Sequence, residues 1–596
     1  MKLKILFFCL LYIYACTDGN ALSTRWAADV TPENVWQEYP RPIMERERWQ
    51  NLNGNWDYAI LPKSSVRPET FDGKILVPFP VESELSGVNR FVGDENELWY
   101  RRTFRVPSSW RGDDVLLHFG AVDWRCDVWV NGVNVGSHEG GYSPFTFNVT
   151  EALRPGDNEI TVRVYDPSDS GPQPRGKQVR KPLGIWYTPV TGIWQTVWLE
   201  PVPKNHIENI KITPDIDANR LLVAANSSKG AGTVRIKVLE DGKTVAEGMA
   251  LAGNPVEIAM PKGYKLWSPD SPNLYDLEIT LVEKGKAVDK VDSYAAMRKI
   301  STKRDGKGVV RMQLNNKDIF QFGPLDQGWW PDGLYTAPSY EAMIYDIDMT
   351  KKFGYNMIRK HVKTEPALWY TYCDRAGILV WQDMPSGDNN VNAWQPHDYF
   401  KGVEKDRNPE SDAIYRREWK EIMDNLHNYP CIVTWVPFNE GWGQYNTVET
   451  ANWTKAYDPS RLVNPASGGN FFDCGDIVDV HNYPWPRIYL LSEGKANVIG
   501  EYGGIGYAIP EHTWAPDRNW GYVKYNSIPE VTAEYINFVK MLRTLSEIAY
   551  TAAVYTQTTD VEIEVNGLMT YDREIIKVDV DSVAEANRRL IKDFSK

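Results

Sequence analysis

The hydrophobic and polar positions of this chain follow different patterns before and after about residue 300. Up to residue 201, short β-rich runs alternate with turn residues, as at 75–78, 99–104, 115–119 and 126–130. The last run leads into Asn131-Gly132, a strong signal for a two-residue hairpin. We predict an all-β sandwich over 26–201. A second strand-rich stretch, 203–300, has the length of a small immunoglobulin-like sandwich.

After residue 300 the chain alternates short apolar strands with amphipathic helical segments. Helices are predicted at 339–353 and 366–376, and strands at 356–359 and 378–381. This alternation over 301–596 favours one (β/α)₈ barrel over an open doubly wound sheet. The active site of such a barrel lies where its strands end and its loops begin.

Two glutamates stand at predicted strand ends. The β-branched and aromatic run 431–438 leads to Asn439 and Glu440, and the run 497–500 leads to Glu501; glycines follow both glutamates. A glutamate that leaves a buried strand is costly to desolvate unless it is paired, which tunes its pKa for acid/base work. Two such residues at one barrel mouth form the pair that cleavage of a glycosidic bond requires.

The alternative reading is a non-catalytic carbohydrate-binding protein. The chain has 24 Trp and 32 Tyr, and flat aromatic faces suit sugar rings, although most of these rings are expected to fill sandwich cores. Either glutamate alone would more often be structural. The presence of both glutamates in the same setting favours an enzyme, and we expect it to need neither a cofactor nor a metal.

Several motifs, in this order, resemble glycoside hydrolase family 2, which contains β-galactosidases, β-glucuronidases and β-mannosidases. They lie at 49–56, 77–80, 98–102, 130–132, 140–145 and 184–194. The resemblance covers nearly the whole mature length. It implies an N-terminal jelly-roll domain, an immunoglobulin-like domain and a catalytic TIM barrel. The implied activity is exo-acting hydrolysis of a terminal β-linked sugar with retention of configuration.

The resemblance also implies roles for residues of the barrel. Glu440, at the end of the fourth strand, would be the acid/base, and Asn439 beside it would bond the sugar 2-hydroxyl. Glu501, at the end of the seventh strand, would be the nucleophile. Further residues are expected to bind substrate: Arg359, His361, Asp383, His481, Tyr483, Asp326 and Trp442.

Three of these residues have a structural alternative. His361 alone would more often be a satisfied core histidine, and Asp383 has an ion pair with Arg359 as its other role. Asp326 follows the first barrel strand, where it would either grip distal hydroxyls or serve the fold.

The match to the family weakens toward the C-terminus. Family members often place a Trp near the eighth strand, where this chain has 554–559 without one. Family β-glucuronidases hold the substrate carboxylate with an Asn-x-Lys element, whereas Asn566 is followed by Gly567 and Leu568. A buried carboxylate without a cation is costly, so a glucuronide is disfavoured. β-Galactoside is the leading prediction mainly because it is frequent in the family that the chain resembles. A β-glucuronide, or a rarer sugar such as an arabinoside, is the alternative.

Charge and the N-terminus indicate partners and location. A net charge of −13 without a basic stripe excludes nucleic acid as a partner and leaves an oligosaccharide or polysaccharide. A basic start and the apolar run 5–15 precede Cys16, which resembles the cleavage site of bacterial lipoproteins. We predict a signal peptide over 1–16, export to the periplasm or cell envelope, and a lipid anchor on Cys16. Simple secretion is the alternative.

Four further cysteines are far apart and form no CxxC pair, so their spacing does not indicate a zinc site. We expect buried free thiols at Cys126, Cys373, Cys431 and Cys474.

Overall fold

The computed structural model describes residues 22–388, 404–441 and 443–594. The predicted fold class is confirmed: two antiparallel β-sandwich domains precede a barrel of parallel strands. The predicted signal peptide, Cys16 and Trp442 lie outside the described residues. Within the described ranges, no helix combines the length and apolarity needed to cross a membrane.

The N-terminal sandwich packs a six-stranded sheet against a four-stranded sheet around one hydrophobic core. Alternate residues of its strands are buried, as expected for sheets with one face toward the core. In spatial order the larger sheet contains Gly73–Val77, Gly54–Pro62, Asn96–Arg105, Asp157–Tyr165, Arg125–Val130 and Val133–Glu139. The smaller contains Gln50–Asn51, Val197–Val202, Asp114–Phe119 and Phe145–Asn148, and Val122–Asp123 pairs with Gly192–Ile193.

The second sandwich has its own core between a three-stranded and a four-stranded sheet. The first contains Ile207–Asp215, Arg220–Ser227 and Pro255–Ala259, and the second Lys243–Leu251, Thr233–Glu240, Tyr275–Glu283 and Lys286–Ala295. Short strands at Trp267–Ser268 and Ser271–Pro272 pair with each other. A small antiparallel sheet of Ile300–Arg304, Val310–Leu314 and Lys317–Asp318 then leads into the barrel.

The barrel strands are almost entirely buried, which explains their near-continuous apolar sequences. They are β1 Gln321–Asp326, β2 Met357–Lys360, β3 Leu379–Asp383, β4 Ile432–Val436, β5 Leu462–Val463, β6 Ile477–His481, β7 Ala496–Gly503 and β8 Tyr550–Thr556. Neighbouring strands pair in parallel in the order β5-β4-β3-β2-β1-β8-β7-β6, so the ring is open only between β5 and β6. Their carboxyl ends therefore meet at one mouth.

In the described part of the barrel, helices cover five of the connections between strands, and a sixth helix follows β8. They are α1 Tyr340–Lys352, α2 Ala367–Ala376, α3 Pro409–Leu426, α4 Thr447–Tyr457, α5 Ile528–Ile548 and α6 Val580–Phe594. The first two begin one residue after the predicted starts. For α1 the reason is that Ser339 is the N-cap, whose hydroxyl accepts from the backbone N–H of Ala342. The connections after β5 and β6 contain no helix, so the βα alternation is incomplete there.

The three domains share one continuous apolar core. Tryptophans also join them by hydrogen bonds: Trp36 Nε1 donates to the Ala337 carbonyl at 3.0 Å and Trp267 Nε1 to the Asp374 carbonyl at 2.8 Å. Buried tryptophans occur in the sandwiches, as predicted, but also in the barrel, where Trp381, Trp419 and Trp435 are fully buried. Buried free thiols are confirmed at Cys126, Cys373, Cys431 and Cys474. The N-terminal sandwich is consequently held firmly against the barrel.

Candidate active site

Polar residues from five strands meet at the carboxyl edge of the barrel. Asp383, His481 and Thr556 are the last residues of β3, β6 and β8, and Arg359 is the third of four in β2. Glu440 lies four residues beyond β4. The parallel topology thus gathers residues that are far apart in sequence around one pocket.

Glu440 has a left-handed backbone, with a φ of 50°. A non-glycine residue adopts this conformation at a cost, and such residues cluster at functional sites. The backbone N–H of Glu440 donates to the Ser467 carbonyl at 2.8 Å, which fixes the turn. The carboxyl group is thereby directed into the pocket, where its side chain is 13% exposed.

Glu501 lies near the end of β7, two residues before its last residue, Gly503. The strand continues to Gly503, but its register shifts against β6 between Val480 and His481 and against β8 between Ile499 and Tyr502. Such irregularities re-aim a side chain without ending the strand. Tyr483 donates its hydroxyl to Glu501 Oε2 at 2.7 Å, and Arg359 Nη1 donates to Oε1 at 3.2 Å.

His481 lies between the two glutamates. Its Nδ1 is 2.8 Å from Glu440 Oε1 and 3.5 Å from Glu501 Oε2. One oxygen of each carboxyl group and a ring nitrogen all lie within 4.8 Å of one another. Only a glycine fits at Gly468, since a Cβ there would approach the His481 ring to 2.2 Å. The two carboxyl groups therefore face each other across a short gap.

The charge of His481 is set by this position. Burial lowers its pKa, but Glu501 and Glu440 raise the pKa more, and the net change is upward from 6.5. Its other nitrogen, Nε2, is 2.8 Å from the Ser467 hydroxyl. A protonated ring in this place balances the negative charge of the two carboxyl groups.

Arg359 connects the predicted pocket residues. Its guanidinium donates to both oxygens of Asp383 at 3.1 and 2.9 Å and to Asn439 Oδ1 at 2.7 Å. These carboxylates outweigh its burial, so the pKa of Arg359 is raised. Burial raises the pKa of Asp383 to about 6, although Arg359 opposes the rise. The ion pair predicted as the structural alternative for Asp383 is present. Because Arg359 donates to Oδ1 of Asn439, the amide N–H of Asn439 remains available to a ligand.

His361 contacts the same carboxylate from the other side. Its Nδ1 lies 2.9 Å from Asp383 Oδ2, and burial, Lys177 and Arg359 lower its pKa well below 6.5. A neutral ring that donates from Nδ1 has an acceptor at Nε2. That atom has no partner among the described residues, and His361 lines the pocket. His361 is thus both structurally held and available to a ligand.

Tyr483 is held against the pocket wall by stacking. Its ring lies 3.8 Å from that of Tyr522 at an angle of 4°, and its hydroxyl is 2.7 Å from the Thr556 hydroxyl. Burial raises its pKa well above 10.0. The phenol therefore stays protonated and can donate to Glu501.

Asp326 does not line the pocket. Its carboxylate accepts from Lys360 Nζ at 2.7 Å and from the backbone N–H of Gly328 at 2.9 Å, and it is buried. These contacts match the structural alternative. Its neighbours Leu325 and Gln327 line the pocket instead.

The N-terminal sandwich contributes one wall of the pocket, which the sequence did not predict. We define the sandwich loop as residues 171–190. It brings Lys177 and Ile185 to a pocket of about 280 Å³ that Glu440 and Glu501 also line. No periodicity marks these residues, because the loop belongs to a different domain. Glu564 and Tyr522 of the barrel also line the pocket and were missed.

A larger cavity of about 1210 Å³ lies where the three domains meet, lined by residues such as Trp36, Trp194 and Ile210. Neither Glu440 nor Glu501 lines it. It lies between domains, whereas the smaller pocket contains the facing carboxyl groups. The smaller pocket is the candidate active site.

Comparison with known families agrees with this architecture. Residues 75–173 match the sugar binding domain of glycosyl hydrolases family 2, residues 205–298 match the model described as glycosyl hydrolases family 2, and residues 312–489 match its TIM barrel domain. This chain belongs to glycosyl hydrolase family 2. The barrel match includes Glu440 and His481 and ends before Glu501.

Curated relatives of this family 2 chain carry two kinds of name. A β-galactosidase of Thermoanaerobacter pseudethanolicus is 25% identical over 80% of this chain and 61% of its own length. A β-glucuronidase of Paenibacillus borealis is 26% identical over 72% of this chain and 73% of its own length. The chain spans about half the length of several curated relatives, including 48% of one from Formosa agariphila.

Solved structures share the fold. A β-D-glucuronidase of Dictyoglomus thermophilum has a TM-score of 0.72 and 19% identity, covering 94% of this chain and 98% of its own. A β-glucuronidase of Ruminococcus gnavus has a TM-score of 0.72 and 18% identity, covering 94% of this chain and 100% of its own. The whole described architecture is therefore common to these proteins.

Proposed function

We propose that this chain removes a terminal β-linked sugar from an oligosaccharide or polysaccharide with retention of configuration. The observation that carries the proposal is the gap between the two carboxyl groups, where one oxygen of Glu440 lies within 4.8 Å of one of Glu501. Retaining enzymes place these groups about 5–5.5 Å apart, while inverting enzymes leave about 6.5–9.5 Å for a water.

The surroundings of each glutamate support its role. Arg359 and Tyr483 donate to Glu501 and stabilise its negative charge, so Glu501 attacks the anomeric carbon as the bond to the leaving oxygen breaks. Glu440 shares a proton with His481 and delivers it to that oxygen. In the second step Glu440 removes a proton from water, the water oxygen bonds to the anomeric carbon, and the bond to Glu501 breaks.

Cleavage at chain ends is supported by the enclosure of the pocket. The sandwich loop closes one side with Ile185, and Tyr483 and Tyr522 line the same pocket. The β-galactoside expected from the sequence stays a prediction, since relatives are named both β-galactosidase and β-glucuronidase.

The test is the stereochemistry of the first product. NMR during hydrolysis of an aryl β-glycoside should show the β-anomer first, and a 2-fluoro sugar inactivator should label Glu501. An α-anomer as first product would contradict the retaining mechanism. Glycan binding without hydrolysis across a panel of aryl glycosides would favour the non-catalytic alternative.

We further propose that the chain is exported and tethered through Cys16, because a basic start and an apolar run precede it. Mass spectrometry of the mature N-terminus should find a lipidated Cys16. An unlipidated N-terminus beyond Cys16 would support simple secretion instead.

A further inference from the structure

Lys177 is held rigidly at the pocket by the sandwich loop. On one side of Lys177, the backbone N–H of Gly176 donates to the Ser386 carbonyl at 3.2 Å. Gly176 has a φ of 60°, and a Cβ there would lie 2.5 Å from the Val362 carbonyl oxygen, so only glycine permits this approach. On the other side, the backbone N–H of Thr188 donates to Glu562 at 2.7 Å. The loop is thus fixed to the barrel at both ends.

Lys177 differs from the other buried lysines of the described chain. Lys360 contacts Asp326 and Glu365, Lys363 contacts Glu365 and two carbonyls, and Lys577 contacts Asp560 and two carbonyls. Each of these ammonium groups therefore has at least one carboxylate partner. Lys177 is 6% exposed. Its ammonium group forms no hydrogen bond or ion pair with any described residue, and it lies 5.6 Å from the Tyr187 ring.

Glu564 lines the same pocket as Lys177, but its carboxylate already accepts hydrogen bonds from other residues. Tyr187 donates its hydroxyl to Oε2 at 2.5 Å, and Asn566 donates to Oε1 at 3.0 Å. A nearly buried ammonium group without a direct partner is costly. The three donors of Lys177 therefore stay available to a ligand inside the pocket.

The remaining unpaired atoms of this wall are mostly acceptors. Gln327 Oε1 and His361 Nε2 line the pocket, are buried without a described partner, and suit sugar hydroxyl donors. Lys177 adds a positive charge that a hydroxyl does not neutralise. We propose, on the basis of the proposed function, that Lys177 binds the carboxylate of a terminal uronic acid and determines the sugar that this site takes.

The experiment compares sugars that differ only in the carboxylate. Aryl β-D-glucuronide is matched with aryl β-D-glucoside, and aryl β-D-galacturonide with aryl β-D-galactoside. The wild-type protein should prefer each uronide. Lys177→Met, which keeps the length but removes the charge, should lower kcat/KM on a uronide at least about tenfold more than on its neutral partner, mainly through KM. Lys177→Arg should retain the preference.

Lys181→Met is the matched control, because Lys181 is exposed in the same loop. It should behave as the wild-type protein on all four substrates. A preference of the wild-type protein for the neutral sugars, or an equal loss on both members of a pair in Lys177→Met, would overturn the proposal.

Failure of the proposed function has a different signature. In that case the wild-type protein would hydrolyse none of the four substrates, and no inactivator would label Glu501. Calorimetry with glucuronic acid and glucose then tests Lys177 alone. Selective uronate binding that is lost in Lys177→Met would support the site, and equal binding of both sugars or of neither would overturn it.

Discussion

The two walls of the pocket differ in how their polar groups are satisfied. On the catalytic wall, Arg359 joins Asp383, Asn439 and Glu501 in one hydrogen-bonded network. Elsewhere on the pocket lining, Gln327 and His361 are each held through one polar atom and keep another unpaired, while Lys177 has no polar partner among the described residues. We call this second set the recognition wall.

The difference separates chemistry from recognition. A network whose members are already paired holds the reacting groups in place before substrate arrives, which is how electrostatic preorganisation works. Unpaired polar atoms that line the pocket are available to a ligand, because leaving them unpaired costs free energy. Mutations on the catalytic wall should therefore affect turnover and folding, and those on the recognition wall should affect mainly substrate binding.

The largest effect is expected for Glu440→Ala. Turnover of substrates with poor leaving groups should fall about 10²–10⁴-fold, because only these need a proton donor, and activated aryl glycosides should lose far less in the glycosylation step. Added azide should restore turnover as a β-glycosyl azide. Initial rates on the two substrate classes measure the difference, with Glu449→Ala on helix α4 as an exposed control. Equal losses on both classes would remove Glu440 from this role.

Arg359→Lys should damage the catalytic wall next most strongly. Lysine keeps the charge but cannot reproduce the paired bonds to Asp383, and it leaves Asn439 unheld. We expect a loss of about 3 kcal/mol in the free energy of unfolding, measured by urea denaturation, together with reduced kcat. Unchanged stability would show that the network is not required for folding.

Gln327→Met should change the recognition wall with little structural damage. Gln327 Nε2 donates to Gln557 Oε1 at 2.9 Å, so the unfolding free energy should fall by no more than about 1.5 kcal/mol. KM should rise several-fold while kcat changes less, because a hydroxyl of the substrate loses its acceptor. A fall in kcat as large as that of Arg359→Lys would erase the distinction between the walls.

The smallest effect on catalysis is expected for a buried carboxyl group away from the pocket. Burial raises the pKa of Glu418 from 4.5 to about 8, and Trp124 donates to it at 2.9 Å. The folded state therefore keeps the proton that the unfolded state loses, and stability falls as pH rises from 4.5 through about 8. Glu418→Gln should reduce this slope by at most about 1.4 kcal/mol per pH unit without affecting catalysis. An unchanged slope in pH-dependent denaturation would contradict the assignment.

The catalytic wall could be predicted from the sequence to a large extent. The runs before Asn439 and Glu501 are apolar and β-branched, and each is followed by glycine-rich turns, so strand ends could be located. The topology then required these ends to meet at one mouth. The shift of register in β7 could not be predicted from the sequence, because it depends on how β6 and β8 pair with β7.

The recognition wall could not be predicted in the same way. The expectation of a neutral sugar rested on the absence of a cation after Asn566, and Lys177 lies in a loop of another domain. Asp326 is the last residue of β1, a position typical of a ligand-binding residue. Its carboxylate instead forms an ion pair with Lys360 on the adjacent strand. Neither the position of Lys177 in the pocket nor the ion pair of Asp326 produces a periodic pattern in the sequence.

The sequence by itself determined the three-domain order, the strands and the two glutamates, since each depends on local patterns of burial and turn-forming residues. The tertiary structure alone decided which charges are neutralised inside the fold and which remain open to a ligand. Those outcomes depend on distances between segments hundreds of residues apart, such as Lys177 and Glu564. Electrostatic pairing acts through space, and the hydrophobic pattern of a chain does not encode it.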